Sequence, residues 1–253
     1  MSLQGRVALV TGGGRGIGRA IALALAQGGA DVAVNYRRDE AAAKETVAEI
    51  EARGRRARSY RASVDSFAED AEMVQAVIAD FGYVDILVNN AGLASRGHSV
   101  ADTDPAELER VVRTHAFGPH FLSKLVLPSM RTRPRGDIVM ISSAATQFMP
   151  THSAPYNMGK AAMEALAFTL AKEERAHNVH VNVVAPGLVD TEMGKRLVRG
   201  ARGVADIRTL DKAMPFGHVC RPEEVAAVVR FVVSDAAGYV TAQRIYVDGG
   251  APF

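Results

Sequence analysis

Short apolar runs alternate with longer helix-like stretches along the whole chain. The apolar runs are rich in β-branched residues, which favours buried strands, and the stretches between them contain many strong helix formers. Strict alternation of this kind predicts an α/β fold with a doubly wound, parallel, seven-stranded sheet flanked by helices on both faces. The predicted strands are Val7–Val10, Val32–Asn35, Arg58–Ala62, Val84–Asn89, Ile138–Ser142, Val179–Ala185 and Ile245–Val247. The predicted helices are Ile17–Gln27, Glu40–Arg53, Ala68–Phe81, Pro105–Arg131, Pro155–His177 and Pro222–Ser234.

The alternation continues without a break in composition, a low-complexity linker or an internal repeat. We therefore expect a single domain over residues 1–253. The one irregular stretch is Asp190–Gly217, which is charged and has glycines at positions 194, 200 and 203. It is too long for a simple connection, so it predicts a substrate lid at about residues 190–217.

Composition and charge exclude several classes of function. The chain has 30 basic and 28 acidic residues, and a net charge of +2 is too small to indicate binding to nucleic acid or to a membrane surface. Cys220 is the only cysteine, so no intramolecular disulfide can form. With no signal-peptide pattern and no apolar run near the ~18 residues of a membrane span, we expect a cytoplasmic protein. The scattered histidines predict no metal site.

A glycine-rich loop follows the first strand and leads directly into a helix. Residues 11–18 read T-G-G-G-R-G-I-G. Glycines let the backbone approach a pyrophosphate, and the helix N-terminus adds partial positive charge, so this context indicates a dinucleotide site on a Rossmann-type sheet. The expected cofactor contacts in the loop are Gly12, Arg15, Gly16, Ile17 and Gly18.

The end of the second strand favours NADP(H) over NAD(H). An NAD site places an acidic residue about 20 positions beyond the loop to bind the ribose 2′-hydroxyl, but this chain has Tyr36 there. Arg37 and Arg38 follow, and Arg15 lies in the loop. Guanidinium groups at this point bind a 2′-phosphate. The alternative is that the arginines face solvent, an interpretation that suits Arg38 best.

Ser143, Tyr156 and Lys160 form a second group of candidate residues. Ser143 ends the strand-like run D-I-V-M-I-S-S, and Tyr156 and Lys160 lie four residues apart at the start of a predicted helix. Residues at i and i+4 share a helix face, so the phenol and the ammonium should point into the same space. The ammonium is expected to lower the phenol pKa from about 10. With a serine hydroxyl opposite, the group can pass a proton to or from an oxygen bound to carbon.

These motifs resemble the short-chain dehydrogenases/reductases. That family's active site has Ser, then Tyr thirteen residues later, then Lys four further on, and its glycine loop is similar to Gly12-x-x-x-Gly16-x-Gly18. The resemblance covers essentially the whole chain and includes a C-terminal stretch similar to that of 3-oxoacyl-[acyl-carrier-protein] reductases. It implies transfer of hydride between NADP(H) and a carbonyl or secondary alcohol. Ser143 would hold the substrate oxygen, Tyr156 would move the proton, and Lys160 would bind the nicotinamide ribose.

The resemblance also assigns further cofactor contacts. Ser63 and Val64 stand where the family has Asp-Val at the adenine, N-N-A-G ends the fourth strand, and P-G-x-x-x-T resembles the family's nicotinamide clamp. Besides the glycine loop, Tyr36 and Arg37, the cofactor residues assigned in this way are Ser63, Val64, Asn89, Ala91, Gly92, Tyr156, Lys160, Pro186, Gly187, Val189 and Thr191.

His115 departs from the family pattern. The family places a catalytic Asn there, which acts largely through its backbone carbonyl on a water that connects the lysine to solvent. His115 is therefore grouped with the catalytic residues, and three interpretations stay open: a retained relay with an incidental histidine, a histidine that titrates near pH 6.5 and tunes the proton path, or impaired catalysis. Gly159, where the family usually has Ser, is a smaller departure.

The substrate is the least determined feature. Met149 and Leu188 are the expected contacts beside Ser143 and Tyr156, and they favour a hydrophobic ketone, although such residues also suit lid packing. A 3-oxoacyl thioester is the first choice, another secondary alcohol or its ketone (a steroid, a polyketide or a quinone-like compound) the second, and a non-catalytic NADP-binding protein the third.

Partners are indicated by charge and by the resemblance. Basic residues in the lid and in R-T-R-P-R at 131–135 suit an acidic carrier protein or coenzyme A phosphates, or simply a solvated face. The family also implies a homo-oligomer, dimer or tetramer, formed through the two long helices and the C-terminal segment.

Overall fold

The computed structural model of the chain describes residues 2–250, except for the side chains of residues 201 and 202. All seven predicted strands are present and form a single domain; Met1 and residues 251–253 of the predicted domain lie outside the described residues. The strands are β1 Val7–Val10, β2 Asp31–Tyr36, β3 Ala57–Arg61, β4 Ile86–Asn89, β5 Gly136–Ile141, β6 Val179–Pro186 and β7 Arg244–Val247. The α-helices are α1 Gly16–Gln27, α2 Glu40–Glu51, α3 Phe67–Phe81, α4 Pro105–Val112, α5 Gly118–Met130, α6 Ala145–Phe148, α7 Ala154–Glu174, α8 Glu192–Arg202 and α9 Pro222–Val232.

The strands form one parallel sheet in the order β3-β2-β1-β4-β5-β6-β7. Because β1 pairs with both β2 and β4, the direction of winding reverses between β1 and β4. Doubly wound proteins bind ligands in the crevice that this reversal opens at the carboxyl ends of the strands. The predicted Rossmann-type sheet is confirmed, and the site motifs follow β1, β4, β5 and β6.

Two apolar layers cover the sheet. In β1, Val7 and Leu9 face the layer built with α3, α5 and α7, whereas Ala8 and Val10 face the layer built with α1, α2 and α9. Successive side chains of a strand point to opposite faces, and here both faces are buried. This explains why the strands are apolar throughout instead of alternating.

The prediction of one continuous α-helix over Pro105–Arg131 is wrong. A π-helical turn, Arg113–Phe117, separates α4 from α5. Gly118 then approaches the Val64 carbonyl so closely that a Cβ at position 118 would collide with it. A π turn shifts the register of the side chains that follow, and such turns are frequent at functional sites. This one carries His115.

The irregular lid predicted over residues 190–217 is also wrong in part, because most of it is helical. α8 occupies its first half, and 3-10 helices Ile207–Ala213 and Pro215–Gly217 follow. Gly194 lies inside α8, where a Cβ would collide with the Val189 carbonyl. That glycine therefore allows close packing, and it does not mark an irregular backbone.

The arginines of R-T-R-P-R are engaged at the amino-terminal edge of the sheet, opposite the crevice. Each pairs with a buried carboxylate: Arg131 with Glu174 at 2.5 Å, Arg133 with Asp85 at 2.8 Å and Arg135 with Asp137 at 2.9 Å. Removing the arginine from such a pair would leave the buried carboxylate without its partner, which is unfavourable. These arginines are therefore structural, and the idea that they meet a carrier protein loses its basis.

Asp70 has a buried carboxyl group whose two oxygens have no hydrogen-bond partner among residues 2–250. It lies in the first turn of α3, and its side chain is fully buried. Burial, with smaller contributions from the carboxylates of Asp65 and Glu69, raises its pKa to about 8. The unfolded chain would hold this group near its ordinary pKa of about 3.9.

We expect Asp70→Asn to reduce the loss of stability between pH 5 and pH 8. Because the folded-state pKa is raised, the stability linked to this group is complete below about pH 4 and is lost as the pH rises through about 8. Urea unfolding at the two pH values should show a larger loss in the wild type than in the variant. Glu72→Gln, an exposed acid on the same helix, should keep the wild-type loss. Equal pH dependence in wild type and Asp70→Asn would contradict the prediction.

Candidate active site

The loop between β1 and α1 has the shape that a pyrophosphate requires. Gly12 and Gly16 have φ of +60° and +53°, a region that favours glycine. A Cβ on Gly18 would collide with the Gly12 carbonyl. α1 begins at Gly16 without an acidic residue in its first turn, so its N–H groups and dipole leave positive potential at the loop. Ile17, by contrast, packs against the core on the α1 side of the sheet.

Hydrogen bonds hold this loop against the segment after β4 and against β2. The Thr11 hydroxyl accepts the N–H groups of Asn90 and Ala91, each at 2.9 Å, and the Asn90 amide donates to the Thr11 carbonyl at 2.8 Å. In β2, the side-chain amide oxygen Oδ1 of Asn35 accepts the Gly12 N–H at 3.2 Å. A polar residue inside an otherwise apolar strand, as in V-A-V-N-Y, was the signal that could have identified Asn35.

The side chains of two predicted cofactor residues are engaged with neighbouring residues. Asn89 is buried, and its amide faces the Met140 sulfur at 3.3 Å. The Ser63 hydroxyl donates to Asp65 at 2.6 Å, and its N–H donates to Glu69 at 2.9 Å.

Three arginines surround the glycine loop on the β2 side. Arg15, Arg37 and Arg38 are exposed, and none of their side chains makes a hydrogen bond or an ion pair with another residue in the described range. Tyr36 ends β2, and the nearest acid after it, Asp39, caps α2 by accepting the Ala42 N–H at 3.1 Å. The guanidinium groups are therefore free to bind an anion.

The segment after β6 borders the same crevice. β6 ends at Pro186, and the Gly187 N–H donates to the Val247 carbonyl at 3.0 Å. A Cβ built on Gly16 would lie 3.4 Å from Thr191 Cγ2, so the predicted nicotinamide clamp adjoins the glycine loop. Val189, which lies between Gly187 and Thr191 in the chain, is buried. These loops together fit a bound dinucleotide.

Ser143, Tyr156 and Lys160 converge at the carboxyl end of β5. The Tyr156 hydroxyl lies near the Ser143 side chain. Lys160 Nζ lies 5.7 Å from the centroid of the Tyr156 ring and donates to the Ile141 carbonyl at 2.6 Å. The Tyr156 N–H donates to the Ser95 hydroxyl at 3.1 Å, which anchors the start of α7 to the loop after β4.

The electrostatics of this trio differ from the expectation. Burial raises the pKa of Tyr156, and the nearby Ser143 side chain opposes this only in part. Burial also lowers the pKa of Lys160 to about 7, against the effect of Glu164. A lysine that is only partly protonated near neutral pH cannot lower the phenol pKa as predicted, so that prediction is wrong for the chain by itself. A neutral phenol is a proton donor, which suits reduction of a carbonyl.

His115 is a neutral, buried imidazole. It is 1% exposed, and its Nε2 lies 2.7 Å from the Leu93 carbonyl, so Nε2 carries the proton and donates. Nδ1 has no hydrogen-bond partner among residues 2–250. Burial and the neighbouring Lys160 charge lower its pKa to about 3. The interpretation of a histidine titrating near pH 6.5 is therefore wrong.

The ring of His115 occupies a slot between two glycines. A Cβ on Gly92 would approach His115 Cε1 at 2.6 Å, and a Cβ on Gly159 would approach His115 Cβ at 2.8 Å. The imidazole also meets the Tyr156 ring edge to face, with 5.2 Å between centroids and 81° between planes. Two of the three departures from the family pattern, His115 and Gly159, are thus one packing arrangement.

The two predicted substrate contacts have different surroundings. Met149 is 49% exposed and has φ of +47°, a strained conformation for a residue other than glycine, in the loop that leads to Tyr156. Leu188 packs against the apolar cluster of the lid, with Val198 and Ile207. Lid packing, the alternative left open for such residues, therefore applies to Leu188.

Two further observations concern the part of the chain that the structure describes. No helix between residues 2 and 250 is both long and apolar enough to cross a bilayer. Within the same range, no group of three His, Cys, Asp or Glu side chains is placed to hold a metal ion.

Comparison with known proteins supports one family along the whole chain. Residues 12–252 match the family described as enoyl-(acyl carrier protein) reductase. A versicolorin reductase of Emericella nidulans is 37% identical over 98% of this chain and 96% of its own length. A 3-oxoacyl-[acyl-carrier-protein] reductase of Synechocystis is 36% identical, over 98% of each chain.

A solved structure shows the same likeness. The short-chain dehydrogenase of Burkholderia cenocepacia, crystallised in complex with NADP, is 34% identical, with a TM-score of 0.89 over 99% of both chains. The sheet order, the glycine loop and the convergence of Ser143, Tyr156 and Lys160 agree with these matches. The chain belongs to the short-chain dehydrogenase/reductase family of oxidoreductases, which act on CH–OH or ketone groups.

Proposed function

We propose that this protein is an NADP(H)-preferring reductase of a 3-oxoacyl thioester or a similar hydrophobic ketone. The observation that carries the proposal is the convergence of Ser143, Tyr156 and Lys160 beside a crevice that fits a dinucleotide. A nicotinamide supplies the hydride when it is bound. The chain itself has to place the substrate oxygen and deliver a proton to it.

Each catalytic residue has a distinct task. The Ser143 hydroxyl, which lies near the Tyr156 hydroxyl, holds the carbonyl oxygen of the substrate. Tyr156 donates its proton to that oxygen as negative charge develops on it, and burial keeps the phenol protonated until then. Lys160, fixed to the Ile141 carbonyl by one of its three N–H groups, retains two donors for the nicotinamide ribose.

The NADP(H) preference rests on charge around the loop after β2. Arg15, Arg37 and Arg38 are exposed and unpaired within the described residues, and the ribose position carries Tyr36 in place of an acid. A 2′-phosphate would bind these guanidinium groups through charge-assisted hydrogen bonds, whereas a 2′-hydroxyl offers them no charge. The NADP-bound relative is consistent with this preference.

The substrate class rests on the relatives and on the lid. A 3-oxoacyl-[acyl-carrier-protein] reductase and a versicolorin reductase match this chain at similar identity, so reduction of a ketone other than a 3-oxoacyl thioester is the second candidate. Exposed Met193 and Leu197 give α8 an apolar face next to the crevice. Exposed Arg196 and Arg199 on the same helix suit an acidic carrier protein or coenzyme A phosphates.

The third candidate, a non-catalytic NADP-binding protein, was motivated by His115. In the structure this imidazole packs against Tyr156 without displacing it from Ser143. A binding module would gain nothing from a retained proton-donor group, so the enzyme is favoured.

We also propose that the protein is a homo-oligomer. A groove of about 510 Å³ on the α5–α7 face is mostly apolar, with Phe117, Phe121 and Leu166 among its lining residues. Phe117 is 47% exposed, and Phe67, packed edge to face on Phe121, is 42% exposed. Apolar surface of this kind is covered when a second copy packs on it, and light scattering measures the state. The cytoplasmic location stays a prediction from the single cysteine.

Purified protein should oxidise NADPH with a panel of ketones that includes an acetoacetyl thioester. Tyr156→Phe should lower kcat by about 10²-fold or more, because the proton donor is lost, while nucleotide affinity stays near that of the wild type. Tyr239→Phe, which changes a fully exposed tyrosine, is the matched control and should leave kcat unchanged. Binding of NADPH without turnover of any ketone, or full turnover by Tyr156→Phe, would refute the proposed reaction.

Arg37→Asp should shift the cofactor preference towards NADH. The substitution removes a guanidinium and adds a charge that repels the 2′-phosphate, so kcat/KM with NADPH should fall by about 10- to 100-fold relative to NADH. Arg38→Asp is the comparison and should give a smaller shift if Arg38 faces solvent. Equal efficiencies with both nucleotides in wild-type protein would overturn the preference.

His115→Asn should leave the shape of the pH–rate profile unchanged above pH 5. His115 has a pKa of about 3 and is already neutral there, so no titration is removed. The smaller side chain leaves space between Gly92 and Gly159, and stability should fall by about 1–2 kcal/mol. His98→Asn, which removes an exposed histidine, should change neither quantity. A limb near pH 6.5 that disappears in His115→Asn would restore the tuning interpretation.

A further inference from the structure

Glu164 lies directly behind the catalytic residues, and the proposed chemistry does not use it. It follows Lys160 by one turn and Tyr156 by two turns on α7, and residues at this spacing share one helix face. Glu164 is 5% exposed. A carboxylate removed from water is costly unless polar groups surround it. The polar groups that surround the Glu164 carboxylate therefore indicate which parts of the fold it holds in place.

Both oxygens of Glu164 are used, by side chains from three other parts of the fold. Oε1 accepts the hydroxyl of Ser142 at 2.6 Å and the hydroxyl of Thr146 at 2.8 Å. Oε2 accepts Arg244 Nη1 at 2.6 Å. One carboxylate thus joins α7 to the residue after β5, to α6 and to β7.

The catalytic serine lies between the two hydroxyl groups that Glu164 binds. Ser142 precedes Ser143, and Thr146 follows it by three residues. The Thr146 hydroxyl is also 2.9 Å from the Ser143 carbonyl, which already accepts the Thr146 N–H at 3.1 Å. The single hydroxyl proton of Thr146 therefore has its stronger acceptor in the carboxylate. Ser143 is held on both sides by groups anchored to Glu164.

Glu164 also sets the charge next to the catalytic lysine. The titratable groups around Lys160 are Tyr156 and Glu164 on its own helix and His115 on the π-helical turn. Tyr156 and His115 are neutral near pH 7, since burial raises the pKa of the phenol and lowers the pKa of the imidazole to about 3. Glu164 is the one of the three that favours a protonated Lys160.

We propose that Glu164 is a positioning residue for the reaction: its carboxylate fixes Ser143 opposite Tyr156 and, through Arg244, couples the C-terminal strand β7 to the catalytic centre. The inference rests on the proposed reductase function.

The chain offers a matched control on the same helix. Glu174 ends α7, is 2% exposed, and is paired with Arg131 through two hydrogen bonds, at 2.9 Å and 2.5 Å. It is as buried and as fully paired as Glu164, but it lies at the end of α7 far from Tyr156. Glu164→Leu and Glu174→Leu therefore remove the same chemistry from the site and from a structural ion pair.

Steady-state kinetics of the two variants, below their melting temperatures, test the inference. Glu164→Leu should lower kcat by about tenfold or more, because a small displacement of a catalytic group is costly, with less than about a threefold change in the nucleotide KM. The limb of the pH–rate profile that follows Lys160 should move to lower pH, since the charge that favours its protonation is gone. Glu174→Leu should lose stability but keep the wild-type kcat and pH profile.

Hydrogen–deuterium exchange of residues 142–153 gives a readout that does not depend on turnover. Exchange in this segment should rise in Glu164→Leu and stay at the wild-type level in Glu174→Leu. If Glu164→Leu does not fold, the double variant Ser142→Ala/Thr146→Val removes the two hydroxyl donors and should show the same exchange and the same loss of kcat. Unchanged exchange and kcat in the folded Glu164 variant, or in the double variant, would overturn the inference. If the wild-type protein turned over no ketone, the proposed function would be refuted. Hydrogen–deuterium exchange of residues 142–153 would still decide whether Glu164 holds Ser143 in place.

Discussion

Removal of the Lys160 ammonium from water is the constraint on which the candidate site depends. An ammonium that is 4% exposed needs acceptors inside the protein. It finds one in the Ile141 carbonyl at the carboxyl end of β5, 2.6 Å away. This bond fixes α7 against the end of the strand, and Tyr156, on the same helix, is thereby brought to Ser143, which follows the same strand. The same bond therefore sets both the position of α7 against β5 and the geometry of the candidate site.

The low polarity of that site also decides which groups carry charge. Two cations close together in a buried site cannot both be protonated without a large electrostatic cost. His115 is the one that gives up its proton, since its pKa falls to about 3 whereas the pKa of Lys160 falls only to about 7. Tyr156 stays neutral for the related reason that a buried phenolate is unfavourable. Near neutral pH the site can thus offer one proton from the phenol, while the lysine is only partly protonated.

The sequence was informative wherever function requires a residue type at a fixed spacing. Apolar runs located the strands, and the glycine loop with the Ser143, Tyr156 and Lys160 spacing located the crevice and the residues that meet in it. The sequence did not indicate where a helix is interrupted or in which direction burial shifts a pKa. Periodicity over 105–131 does not reveal that Gly118 must approach the Val64 carbonyl, and so does not predict the π-helical turn. Spacing placed Lys160 next to Tyr156, but the direction of the pKa shift depends on burial, which only the packed structure defines.

His115 and Gly159 show why departures from a family pattern should be interpreted together. Taken alone, histidine in place of asparagine left three interpretations open, namely a retained relay with an incidental histidine, a new titrating group and impaired catalysis, and glycine in place of serine put little in doubt. In the structure, the backbone of the π-helical turn lies so close to α7 that a Cβ at 159 would approach His115 Cβ at 2.8 Å. Serine at 159 therefore requires the turn to move away, and the turn determines where the imidazole meets Tyr156. Because His115 and Gly159 share one slot, the place where the imidazole contacts Tyr156 depends on the missing side chain at position 159 as much as on the histidine itself.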